Sequence, residues 1–271
     1  MILVKIVKIT CVLLWLMFTS VYAMGQQVST ARTLGLGGAT SALQGLESIF
    51  TNPSAIDPGT TGGVIATSSM PFNIPEFLYS AVGARINAGA NQYVFASISN
   101  LGTGAYRDTD IRLGYARRLF DVLQISIDLS TGIEYFEGYA TRVHLGYGIG
   151  FHYEVSNEFA LGTYIKDLIP VPVGLPPRPS FVLGARYSPS DKSRLFGDVI
   201  LEMERHSRYA MGVEYDISNI LTLRCGVSTY PSKFHLGASL TCTKSIAINM
   251  AMSYHITLGV SPSFDITFAF R

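Results

Sequence analysis

The side chains able to bind a metal or attack a substrate are few in this sequence and poorly spaced for either task. Of the five histidines, His144 and His152 share one face of a run that alternates in polarity. Eight residues of extended chain separate them by roughly 25 Å, too far for one ion. His206 and His255 fall in or beside connections, and His235 lies on another alternating run. No Ser, His and Asp set recurs at a spacing that would arm a nucleophile. Cys225 and Cys242 flank a turn near Pro231 that sets Cys225 opposite about residue 237, so two separate thiols are expected. Gly35-x-Gly37-Gly38 superficially suggests a phosphate loop, yet no strand precedes it and no Lys-Ser/Thr pair follows. The expectation is a protein that is not an enzyme and has no catalytic residues, metal or cofactor.

What the charged residues offer instead is a network. Arg112, Asp128, Arg142, Glu154, Arg186, Asp198, Glu214 and Arg224 are balanced in sign and fall on the small-residue side of alternating runs. In one such run Val143, Leu145, Tyr147, Ile149, Phe151 and Tyr153 alternate with Arg142, His144, Gly146, Gly148, Gly150 and His152. Successive strand side chains point to opposite faces, so one face is greasy and the other small or charged. A face turned to bulk water normally carries more charge. Here only 14% of residues are charged, against roughly 25% in soluble domains. The pattern therefore predicts a lipid-facing exterior around an interior crossed by ion pairs. Closing the sheet pairs every backbone N–H and C=O, as hydrocarbon demands. A secreted soluble sandwich is the competing fold. The formal net charge of +1 gives no field suited to nucleic acid.

Turn-type clusters, such as Ser156-Asn157-Glu158 and Asp216 to Asn219, divide Val64 to Arg271 into fourteen strand candidates. Twelve is the alternative, because Ile65 to Leu101 alternates poorly. The fold class is thus all-β, a transmembrane antiparallel barrel over residues 63–271. Residues 1–23 read as a secretory signal: Lys5 and Lys8, an apolar stretch from Ile9 to Phe18, then Val21-Tyr22-Ala23 with cleavage near Ala23. An uncleaved anchor is the alternative. Between them, residues 24–62 lack strand alternation and are expected to form a plug with a small helix over Ser41 to Phe50. Gly35, Gly37 and Gly38 would supply backbone freedom there, and Asn52-Pro53 would end the helix.

The string "ARTLGLGGA…NPSAI" (Ala31 to Ile56) resembles the N-terminal hatch of the long-chain fatty-acid transporter (FadL-type) superfamily, in particular its PorV/PorQ relatives of the type IX secretion system. The end "YHITLGVSPSFDITFAFR" (Tyr254 to Arg271) is similar to the same group. The resemblance implies a fourteen-stranded barrel with an N-terminal plug in the outer membrane of a Gram-negative-type bacterium. Outer-membrane lipid and the barrel-assembly machinery would be its partners. It also implies an accessory of protein secretion that binds partner or cargo proteins at the outer face. The proline-stiffened loop carrying Val171, Pro172, Val173 and Leu175 is the candidate contact. A FadL-like transporter of small hydrophobic molecules is the alternative, and a structural non-conducting barrel a second one.

Overall fold

The computed structural model describes residues 30–57, 59–167, 179–202 and 206–270. Fourteen strands follow one another round a closed antiparallel barrel. They are β1 (Gly62–Ser69), β2 (Tyr79–Gly89), β3 (Gln92–Leu101), β4 (Tyr106–Leu119), β5 (Leu123–Phe136), β6 (Arg142–Glu154) and β7 (Phe159–Lys166). After these come β8 (Ser180–Ser190), β9 (Ser193–Glu202), β10 (Arg208–Asp216), β11 (Leu221–Ser228), β12 (Lys233–Thr241), β13 (Ile246–His255) and β14 (Gly259–Phe270). Pairing of β1 with β14, from Gly62 opposite Phe270 to Ser69 opposite Ser263, closes the ring and leaves no edge strand.

Alternation places the two faces as the sequence predicts. Ile127 is 54% exposed and Leu129 67%, whereas Asp128 between them is 2% exposed. An exterior of Val82, Ile98, Leu113, Met211, Phe234 and Phe264 would be intolerable in water and suits hydrocarbon. Turns at the end bearing both barrel termini span two to four residues, while described connections at the other end reach nine residues at 70–78. Outer-membrane barrels place their short turns in the periplasm and their longer loops outside.

Two expected turns shift. The stretch Thr257 to Pro262 is strand from Gly259 onward, with Pro262 opposite Met252. Pro262 is tolerated because its carbonyl, which accepts from Met70 N at 2.9 Å, points toward β1. Its missing N–H therefore falls just past the end of the β1 ladder. Likewise β4 begins at Tyr106, inside the expected connection Gly102 to Asp108, where the Tyr106 and Phe136 rings pack 4.7 Å apart. Cys225 lies opposite Leu236 rather than 237, and both thiols are free.

A charge on the lipid face tests this orientation. Ile127→Arg should destabilise the barrel by ~2–4 kcal/mol in lipid vesicles. Arg142→Glu, at an exposed end of β6, should change stability by less than ~0.5 kcal/mol. Urea titration in vesicles reads both, and equal losses would mean that the faces are misassigned.

Candidate functional site

Residues 30–57 thread the lumen, and almost all of them are buried. Thr30 caps a short helix, α1 (Ala31–Gly35), accepting from Thr33 N at 3.3 Å. Gly37 and Gly38, at φ of +70° and +86°, then turn the chain. A Cβ on Gly37 would lie 2.7 Å from the Val227 carbonyl oxygen. The main chain of Leu36 rests on Gly212 and Gly226, where an added Cβ would meet it at 2.6 Å and within 3.0 Å respectively. Part of the glycine-rich lumen face is thus a seat for the plug.

The expected helix over Ser41 to Phe50 is absent. A 3-10 turn occupies Leu46–Phe50 instead. Its predecessor is fixed by the wall: Asp198 accepts from Thr40 N, Ser41 N and Ser41 Oγ, each at 2.8 Å. Backbone N–H groups held this way are not free to continue a helix, and Gly45 at φ +141° ends any that began.

Two apolar seals flank these polar contacts. Leu36, Ala39 and Leu43 pack on Val182, Phe196, Ile200 and Ala210. Leu46, Ile49, Phe50 and Ile56 pack on Ile65, Tyr79, Tyr93 and Phe95 across the lumen. Between them Asn52 Nδ2 donates to Ser41 O at 2.7 Å and to Phe151 O at 3.1 Å, tying plug to plug and plug to β6. Pro53 follows it in a buried turn. Gln124 Oε1 accepts from Ile56 N at 2.8 Å.

The charges form a linked set. Glu214 contacts Arg224 Nε at 2.5 Å, Arg194 Nε at 2.7 Å and the plug's Arg32 Nε at 3.1 Å. Arg32 also reaches Glu47 at 3.3 Å, and its backbone N–H donates to Asp265 at 3.2 Å. Asp265 accepts from Asn249, which Arg224 and Ser239 contact in turn. Burial disfavours the charge on Arg32, but Glu214 and Glu47 more than offset that and raise its pKa above the ordinary guanidinium value. Further round the wall, Arg186 pairs with Glu154 at 2.9 Å, and Gln44 from the plug bridges both at 2.7 Å. Arg112 lies 3.4 Å from Asp128, which accepts from the Tyr164 hydroxyl at 2.9 Å. At the long-connection end, a pocket of about 80 Å³ opens between the plug and β10, β11 and β12.

No family model matches the sequence, and no curated protein matches it. Solved structures do. The CymD monoaromatic hydrocarbon channel superposes with a TM-score of 0.67 at 11% identity, covering 89% of this chain and 97% of that one. The Pseudomonas putida toluene transporter TodX gives 0.67 at 12% identity, over 91% and 99%. A Pseudomonas aeruginosa FadL homologue gives 0.65 at 10% identity, over 91% and 100%. What they share with this chain is the FadL-type barrel fold. These likenesses show nothing of the PorV/PorQ branch.

Of the predicted network, Arg112–Asp128, Glu154–Arg186 and Glu214–Arg224 are brought together as ion pairs. Among the described residues Asp198 is not paired with an arginine; it holds the plug through Thr40 and Ser41. Arg142 is a correction: it is exposed, opposite Glu134 in register, and makes no ion pair among the described residues. It lies on the inward parity of β6 but beyond the plug, where water competes for its charge. Val171, Pro172, Val173 and Leu175 lie outside the described residues, as does the signal segment. Arg32, Gln44 and Glu47 escaped the sequence reading. Their signal was available, since Arg32 and Glu47 are the only charges between Met24 and Ile56. His152 Nε2 sits 3.0 Å from Glu154 Oε1 within the same cluster, so it serves the plug seat.

Proposed function

We propose that this chain is a passive outer-membrane conduit for small organic molecules, closed at rest by its own residues 30–57. The observation that carries this reading is the plug. A purely structural barrel can fill its lumen with wall side chains alone. Here a separate segment is fastened by hydrogen bonds and ion pairs, all of which can be undone without breaking the ring of strands. Solved structures with the same fold bear the names monoaromatic hydrocarbon channel and toluene transporter, which favours a conduit over a secretion accessory. The secretion reading rests on sequence resemblance alone. In this proposal the barrel lies in outer-membrane lipid, and the outward aromatics Phe264, Phe268 and Phe270 of β14 present its final strand to the assembly machinery.

Reconstitution tests it. In vesicles with lipopolysaccharide in the outer leaflet, the protein should speed influx of radiolabelled benzyl alcohol and benzoate several-fold. Influx equal to that of empty vesicles would remove the proposal. Secreted proteins co-purifying from outer membranes in its place would restore the accessory role.

A further inference from the structure

We infer that Arg107, on the lipid-facing side of β4, is a headgroup site for the phosphorylated glycolipid of the outer leaflet, lipopolysaccharide. Alternation sorts the charges of the barrel by sign. Every Asp and Glu within the described strands falls on an inward position. Among the described residues only two outward strand positions are charged, Arg107 and Arg117, and both belong to β4. Both are exposed, and neither makes an ion pair among the described residues. Glu137, in the connection after β5, forms none with Arg107. A cation on a surface that holds no carboxylate must take its counter-charge from the membrane.

The spacing of the two arginines places them at the membrane borders. Ten residues of strand rise roughly 33 Å. A tilt of about 40° leaves roughly 25 Å of height, which is that of the apolar band round an outer-membrane barrel. Between them the same face carries Thr109, Ile111, Leu113 and Tyr115, with Leu113 62% exposed. Arg107 stands at the long-connection end and so meets the outer leaflet. Its guanidinium lies 5.1 Å from the centroid of the Tyr135 ring, its cross-strand neighbour. Stacking on an aromatic face steadies the planar group and leaves its N–H edge free to grip two oxygens of one phosphate. Beside it the outward face turns polar. Thr109 Oγ1 donates to Asn100 Oδ1 at 3.1 Å, and Asn100 lies opposite the exposed Ser80. Hydroxyl and amide groups there suit the sugar of a glycolipid and would find no partner among acyl chains.

This inference concerns the exterior of the barrel, so it holds or fails apart from the conduit proposal. The test is native mass spectrometry of the protein in non-ionic detergent, with bisphosphorylated lipid A, dephosphorylated lipid A and phosphatidylglycerol as probes. Bisphosphorylated lipid A should bind, and the other two at least about tenfold more weakly. Arg107→Gln should weaken its binding by about tenfold, the loss of one charge-assisted contact. Arg142→Gln, inward at the same end, should leave it unchanged. A heat-modifiable band on gels confirms that each variant has folded. Equal binding of dephosphorylated lipid A would mean that acyl chains alone are held, and equal binding of phosphatidylglycerol that any anionic lipid suffices. Either result, an Arg107→Gln variant that binds as before, or equal losses in both variants would overturn the inference.

Discussion

Deleting residues 30–57 is expected to leave a folded barrel that conducts ions in planar bilayers, in steps that the intact chain does not show. Closure does not depend on the plug: each strand is hydrogen-bonded to two neighbours, and β1 to β14 completes the ring. What the deletion uncovers is a wall that water accepts. Asp128, Asp198 and Glu214, with Arg85, Arg112 and Arg224, are all buried only because the lumen is filled. Once wet, they are solvated rather than stranded. The apolar patches around Phe95 and Phe196 lose their partners, so the shortened chain should also unfold at lower urea, by roughly 1.5–3 kcal/mol for each large plug side chain whose burial is lost. Conductance and urea midpoint must be read together. A folded deletion barrel with unchanged conductance would show that wall side chains, and not the plug, seal the lumen.

How far the sequence foretold this arrangement depended on which regularity each feature obeys. Strand parity is a period-two property, so it predicted the faces of Ile127, Asp128 and Ile149 from residue types alone. Parity also placed Arg142 inward, correctly as to face. It carries no information about height along the barrel, and height decides whether an inward charge meets the plug or meets water. Register across a turn depends on its length. The four residues of Thr229–Ser232 put Cys225 opposite Leu236, one position from the estimate made with Pro231 at the apex. The plug was recognised as an interruption in alternation, but its partners follow no period. Asp198 and Ser41 are 157 residues apart, and nothing in either neighbourhood advertises the other. The hatch-like string Ala31 to Ile56 was legible because its glycines answer a geometric demand. That demand is common to any barrel seating a backbone against Gly212 and Gly226, so the string speaks to fold and not to the branch or task.

Glu214 is where removing one side chain should matter most. It is fully buried and contacts three guanidinium groups, one of them on the plug. Arg194 retains Asp216 at 2.6 Å, and Arg32 retains Glu47. Among the described residues Arg224, itself 7% exposed, would keep only neutral partners, Ser239 and Asn249. Breaking a buried pair by removing one member leaves an uncompensated charge, which costs about 3–5 kcal/mol. Glu214→Ala should therefore lower barrel stability by that order, with Glu214→Gln losing less because its amide oxygen can still accept. Lost stability alone would not show that the plug is involved. A double-mutant cycle of Glu214→Gln with Arg32→Met isolates the contact between wall and plug, and residues in direct contact couple by about 0.5–3 kcal/mol. Limited proteolysis of the plug gives the matching kinetic readout: either single variant should expose residues 30–57 to cleavage faster than the intact chain, and the second substitution should add little. Strict additivity in the urea cycle would mean that Arg32 and Glu214 are neighbours without being a latch, leaving the apolar seals to hold the plug by themselves.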